Sequence, residues 1–406
     1  MAQNIRPPVY SPAKFVDRKD EIEFILEKVQ RLPYGLEKRE RLLIFVGGRG
    51  TGKTWLLRRL KDELRDLGTP LDIFFLDLAR YWSKAPSVAV MEILLDAAQE
   101  VLGPGGLPGD IPSEVARRFM DRLRPRLEER PLVALVDAVY ETPQALLVEL
   151  ETYFIAPLAN EPCILLVMAG RGRPYPWKKP EVRLNIQAVP LGGFEEDKDI
   201  EEQIRKQVGR RPRMEPAEIK KWGDGVPLVN YLLGKYGREG LEFALEEMLE
   251  PVDADDRQRV REGVEAICML RAFEEDRLQR MLAAYRGKSV GDYEAAVIRD
   301  LLVKWSLARF EREAGGYVLD GPVRKVAERH LEENHPQLWK KLHCAAYRLY
   351  EEWSKGRGAE WWKKEKDYHE RRLEEKGIDA AECPPATAQE KGPEGMRACE
   401  EERNYG

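Results

Sequence analysis

The sequence predicts an α/β domain, a parallel sheet with helices on both faces, followed by an almost wholly helical region. Three observations predict it. Strand and helix signals alternate up to about Pro190, strand signals nearly vanish beyond it, and a glycine-rich segment joins the first strand to the next helix.

Residues 1–14 are Pro-rich and irregular. Lys19 to Leu32 carries Ile22, Ile25, Leu26 and Val29 on one face, the pattern of an amphipathic helix. Leu42 to Val46 is wholly apolar and runs into glycines, as a buried parallel strand does. A helix over Thr54–Leu67, a strand over Leu71–Leu78 and helices over Val88–Leu102 and Pro112–Arg130 follow. Leu132–Val136 is a third strand, Thr142–Leu158 a helix, Ile164–Met168 a fourth strand and Val182–Val189 a fifth. Helices then cover Glu195–Val208, Glu215–Trp222, Val226–Lys235 and Leu241–Leu249, with a further set over Asp256–Ala284 and Val290–Leu307. A small hairpin is expected across Leu307–Phe310 and Tyr317–Leu319, turning at Gly315-Gly316. Helices over Val323–Asn334, Gln337–Trp353 and Glu360–Lys376 precede a tail, residues 377–406, whose prolines, glycines and few large apolar side chains predict disorder.

The 406 residues suggest two or three domains at roughly 150 residues each. At 43% hydrophobic and 34% charged the chain can build real cores. A formal charge of -5 excludes a strongly basic coat for nucleic acid, though not a local basic face. No apolar run approaches the ~20 residues that span a bilayer. Met1–Pro12 has no signal-peptide core, so a cytoplasmic location is expected. Cys163, Cys268, Cys344, Cys383 and Cys399 are scattered without C-x-x-C, so neither a zinc site nor a disulfide framework is expected. Asn is scarce amid Arg and Glu, a lean towards a thermophile's composition.

Gly47-Gly48-Arg49-Gly50-Thr51-Gly52-Lys53-Thr54 fits G-x-x-x-x-G-K-[ST] between a strand and a helix. Glycines let backbone N–H groups close around phosphates, and the helix N-terminus adds its dipole. Lys53 reaches the terminal phosphates, and the Thr54 hydroxyl is a ligand for Mg²⁺. Asp137 ends the apolar strand after Val136, where a carboxylate holds the same metal through water. Glu141 either orients the attacking water or is an acid at a helix start before Thr142. The fourth strand runs into Ala169-Gly170-Arg171-Gly172-Arg173-Pro174, which places Arg171, with Arg173 as rival, to sense a terminal phosphate. The absence of Asn-Lys-x-Asp favours ATP over GTP.

These residues resemble a family. Phe15-Val16-Asp17-Arg18-Lys19-Asp20-Glu21 resembles the F-V-x-R-x-x-E box of the STAND ATPases, signal-transduction ATPases of the AAA+ world. Gly52-Lys53-Thr54-Trp55-Leu56-Leu57 is similar too, and Asp137-Ala138-Val139-Tyr140-Glu141 resembles the NACHT-type D-G-h-D-E strand, with Tyr140 at the middle acid. Gly225-Val226-Pro227-Leu228 resembles the family's G-x-P-L motif. Gly316 to Arg324 resembles the winged-helix segment ending in a nucleotide-reading histidine, whose position is held here by Asp320. Leu342-His343, Ala345-Ala346-Tyr347 and Tyr368-His369 resemble the helices that follow.

The resemblance implies a P-loop NTPase domain over 15–194 behind an extension 1–14, a helical domain 195–250, a winged-helix domain 251–334, a helical extension 335–376 and the tail. It implies that Phe15, Val16 and Arg18 line an adenine pocket, that Trp55 adjoins the cofactor and that Pro227 packs against the base. It implies an ATP/ADP switch with Mg²⁺ and slow hydrolysis, effector or sensor chains in trans and nucleotide-dependent homo-oligomers. The alternative is an AAA+ ATPase acting on DNA through its winged helix. Tyr293–Arg309, the segment that would read DNA, offers Arg299, Lys304 and Arg309 against Glu294 and Asp300, and Arg210-Arg211-Pro212-Arg213 is a denser basic run. His330, His335, His343 and His369 lack metal-ligand spacing, and Trp353, Trp361 and Trp362 read as core or as a partner surface.

Overall fold

The computed structural model describes residues 7–171, 176–209, 212–355 and 359–384. Arg173, Arg210-Arg211 and most of the expected disordered tail lie outside the described residues. The chain divides into two units, Met1–Glu250 with Asp320–Val326, and Pro251–Leu319 with Ala327–Gly406.

The first unit is built on a parallel sheet of β1 (Leu42–Val46), β2 (Asp72–Asp77), β3 (Leu132–Asp137), β4 (Ile164–Gly170) and β5 (Gln187–Pro190), in the order β2-β3-β4-β1-β5. The strands β1 and β4, wholly apolar, and β3, apolar up to Asp137, take the centre, because they can be buried on both faces. Alternation then sends Ile44, Ala134 and Leu166 towards Ile93, Phe119 and Phe154 on one face. Leu43, Val133 and Leu165 pack with Ile25, Leu57 and Leu60 on the other. The register pairs Val46 with Gly170 and Asp77 with Asp137, so the strand tips that carry the motifs end nearly level.

Helices Lys19–Arg31, Lys53–Asp66, Pro86–Leu102 and Pro112–Glu129 cover the sheet, the last two opened by proline where no N–H is needed. The helix expected over Thr142–Leu158 begins at Gln144 after Pro143 and passes through a π turn at Glu151–Ile155. The buried Glu151 carboxylate accepts the N–H groups of Lys178 (2.7 Å) and Lys179 (2.6 Å). The fifth strand is shorter than expected: Pro180 opens a helical turn, Pro180–Arg183, and β5 pairs with β1 only from Gln187. Helices Asp197–Gln207, Pro216–Gly223, Pro227–Tyr236 and Gly240–Leu249 complete this unit with the Asp320–Val326 segment.

In the second unit the expected run over Asp256–Ala284 is two helices, Ala254–Ile267 and Glu275–Arg286. The chain breaks between them because Phe273 pairs as a β-bridge with Tyr317. Asp292–Lys304 is the third helix, and β6 (Ala308–Glu311) and β7 (Gly316–Leu319) form the expected hairpin. A helix, the Phe273 bridge, two further helices and a hairpin, in this order, make a winged-helix topology.

Helices Pro336–Trp353 and Ala359–Glu374 pack together, with His343 and His369 sharing a buried Nδ1–Nδ1 contact of 2.9 Å. Trp353 and Trp362 close around the buried Arg277 guanidinium at 4.2 and 4.8 Å, and Arg271 lies 4.2 Å over Trp361, so the tryptophans stack on cations. The expectation of no disulfide is overturned by a Cys344–Cys383 bond. These cysteines stand 39 residues apart, and a pairing made by tertiary packing leaves no spacing signal. Residues 377–384 of the expected tail include a 3₁₀ turn, Ala380–Glu382, held by that bond and by Arg348 on the Cys383 carbonyl (3.0 Å). No helix among the described residues is long and apolar enough to cross a membrane.

Candidate functional site

The site is built on three adjacent strand tips. The loop after β1 turns through Gly50 and Gly52 at φ +78° and +92°, left-handed values that cost side-chain-bearing residues energy, and Lys53 opens the helix. The Lys53 ammonium donates to the carbonyls of Gly47 (2.7 Å) and Gly48 (2.8 Å). Burial pulls its pKa down to about 8, partly offset by Glu141. The Thr51 hydroxyl donates to the Gly48 carbonyl at 3.0 Å, tying the loop across itself.

At the tip of β3, Asp137 is buried and accepts the hydroxyl of Thr54 and the N–H of its own neighbour Ala138 (2.9 Å). Desolvation pushes its pKa up to about 6, with the nearby Glu141 adding to the rise. Ala138 is left-handed at φ +60°, the conformation that aims its N–H back at the carboxylate. Glu141 is not at a helix start. It meets Arg171 at the tip of β4, accepting the guanidinium at 2.9 Å and the Arg171 backbone N–H at 3.2 Å. Tyr140 packs against Gly170, where a Cβ would come within 2.8 Å of its ring. Because β4 lies between β1 and β3, Arg171 follows the strand between the one that enters the phosphate loop and the one that ends at Asp137.

The remaining sequence-derived residues support the loop. Asp17 and Arg18 are consecutive left-handed residues, and the buried Arg18 guanidinium donates to the carbonyls of Thr51 (3.2 Å) and Gly192. Phe15 lies beneath Arg59, its carbonyl accepting Lys206 at 3.0 Å, and Val16 is buried beside it. Trp55 packs edge-on against Tyr10 with centroids 5.5 Å apart. Pro227 lies near Gly52, and Leu228 donates its N–H to the Gly50 carbonyl at 3.2 Å. Lys53, Thr54, Asp137, Glu141 and Arg171 are thus brought together, while Phe15 and Trp55 make contacts of their own beside the loop.

Arg49 escaped the sequence reading as part of this site, and Asp320 entered it only at the position of the resembled family's nucleotide-reading histidine, without its partner. Arg49 occupies a variable motif position, yet its guanidinium is buried and donates to the Met248 carbonyl. Desolvation, with Arg171 nearby, pulls its pKa down to about 9. Asp320 sends its carboxylate to the Arg49 backbone N–H. Neither contact has a local sequence signal.

The Walker-type ATPase paby2304 of Pyrococcus abyssi superposes with a TM-score of 0.51 at 16% identity, over 80% of this chain and 98% of that one. The fold is that of a P-loop ATPase. The Aeropyrum pernix ORC1 protein, solved in complex with DNA, has a TM-score of 0.40 at 16% identity, over 80% of this chain and 95% of its own. Cdc6p from Pyrobaculum aerophilum has 0.40 at 13%, over 81% and 100%. No family model and no curated protein matches the chain.

Proposed function

We propose that the protein is an ATP/ADP-binding switch of the STAND type that hydrolyses ATP slowly with Mg²⁺ and works with effector or sensor chains in trans. The residues present fit such a ligand. The loop offers amides and the Lys53 ammonium to phosphates, and the Thr54 hydroxyl and Asp137 carboxylate are the hard oxygen donors Mg²⁺ takes. Bound there, the metal supplies charge neutralisation for the phosphates. Phe15, Val16 and Arg18 are assigned to the adenine pocket and Pro227 to the base, with Trp55 beside the cofactor.

The ion pair between Glu141 and Arg171 carries the reading. Glu141 is the group that orients a water, and Arg171 the group that binds a terminal phosphate. Held on each other, neither is free for its task, so turnover waits for Arg171 to transfer from carboxylate to phosphate. That exchange gives the nucleotide different contacts in two arrangements, which a switch requires. Nucleotide released on denaturation and ATP turnover test the proposal, with Lys53→Ala as control. Retained ADP and slow turnover, both lost in the variant, support it. A wild type that neither holds nor hydrolyses nucleotide sinks it.

The winged-helix topology favours a second reading, an AAA+ ATPase acting on DNA. Against it, the third-helix cations are already engaged, Arg299 with Asp300 (2.7 Å) and Lys304 with Asp256 (2.9 Å). Salt-dependent retention on duplex DNA and stimulation of turnover by it would favour this second reading.

A further inference from the structure

Two segments distant in sequence flank the phosphate loop. Residues 14–18 are fastened to it by Arg18 on the Thr51 carbonyl at 3.2 Å. Residues 225–228 are fastened by the Leu228 N–H on the Gly50 carbonyl, also at 3.2 Å. Both flanks are held from one helix, Asp197–Gln207, whose Gln203, Lys206 and Gln207 share a face at spacings of three and four. Towards the first flank, Lys206 donates to the Phe15 carbonyl and Gln207 to the Lys14 carbonyl, each at 3.0 Å. Towards the second, Gln203 donates from Nε2 to the Pro227 carbonyl at 2.7 Å.

Gln203 joins the two sides. Its Nε2 also donates to the Gln207 Oε1 at 3.0 Å, and its Oε1 accepts the Asn230 Nδ2 at 3.3 Å. Asn230 donates to the Gly225 carbonyl as well, at 3.0 Å. Asn230, Gln203 and Gln207 thus form a directional run in which each amide donates to the next, ending on the Lys14 carbonyl. Gln203 uses both of its hydrogens and its oxygen while only 1% exposed, and Asn230 is fully buried. Buried amides cost free energy once their partners move away, so displacing either flank strands polar groups in the interior. The run carries no charge and ends on backbone carbonyls of the flanks, away from the Lys53 ammonium and the amides that face phosphates.

We infer that Gln203 is a positioning residue: it fixes the spacing between the two flanks, and with it the grip on the base of a bound nucleotide rather than on its phosphates. The inference rests on the nucleotide-binding reading above, which puts residues 15, 16 and 18 and Pro227 at the base, and adds the residue that ties those two walls together.

The test is competition binding of ADP and of inorganic pyrophosphate, each with Mg²⁺, to the full chain as wild type, Gln203→Met and Gln207→Met. Methionine keeps the unbranched length and removes the amide. Melting curves identify the folded variants, and the half-buried Gln207 supplies one that leaves the interior packed. The wild type is expected to bind ADP more tightly than pyrophosphate. Gln203→Met should weaken ADP by about tenfold, and Gln207→Met by less, with pyrophosphate affinity unchanged in both. A general loss of structure would weaken the two ligands together. A folded Gln203→Met chain with unchanged ADP affinity, or with both affinities falling together, overturns the role of Gln203 and leaves the nucleotide reading standing. So does a wild type that binds the two ligands equally. A wild type that binds neither overturns both.

Discussion

Asp137→Asn is expected to stabilise the ligand-free protein at alkaline pH although it removes a proposed metal ligand. Burial, with Glu141 adding to it, pushes the carboxyl from 3.8 up to about 6. The folded chain therefore holds this proton more tightly than the unfolded chain. The contribution to stability is fully present below 3.8 and is lost as pH rises through about 6. At about pH 8 the carboxylate is charged in both states, and the difference amounts to about 3 kcal/mol against folding. Asparagine keeps an oxygen for the Ala138 N–H and an amide for Thr54, without the charge. The variant should match wild type at about pH 3 and gain up to about 3 kcal/mol at about pH 8, or about 6–12 °C in melting temperature for a unit of this size. Thermal unfolding across that range, free of magnesium and nucleotide, measures it. A gap of the same size at both ends of the range, or a variant less stable than wild type at the alkaline end, would refute the reasoning.

Three further outcomes are expected. Ala138→Gly should stabilise the chain by about 1 kcal/mol in urea unfolding, since glycine adopts φ +60° without the steric cost alanine meets there. Glu141→Gln should lower ATP turnover by about 10²-fold or more while leaving nucleotide affinity within a few-fold, measured by single-turnover kinetics beside equilibrium binding. Reduction of the Cys344–Cys383 bond, or Cys383→Ser, should destabilise the second unit by up to about 4 kcal/mol from the 39-residue separation, and limited proteolysis should then cut near Ala380.

The sheet and the chemistry at its tips were legible because each is written in short sequence. Apolar runs of five to seven residues running into glycines read as buried parallel strands, and the loop from Gly47 to Thr54 states its own backbone geometry. Asp137 and Arg171 followed from their position at strand ends. What escaped is written across distance. Asp320 reaches Arg49 over 271 residues, and Phe273 stops a helix to pair with Tyr317 on a later strand. Local periodicity carries no trace of a partner that distant. The fifth strand was overextended because the apolar residues Val182 and Leu184 belong to a helical turn and its end, which proline at position 180 begins.

The strand order turns the sheet into a ruler. Arginine and aspartate stand at the tips of the neighbouring strands β4 and β3, and hydrogen-bonded strands keep about 4.8 Å between them, while the lysine opens the helix that follows the loop from β1. The interval between the strand tips is therefore set by peptide groups alone, and Thr54, next to the lysine, reaches the aspartate directly. A scale graduated by the backbone is indifferent to which side chains stand on its marks. Substitution at the tips can thus retune affinity, turnover or selectivity in single steps while the interval between them stays fixed, which makes this edge of the sheet the natural place to begin altering what the protein does.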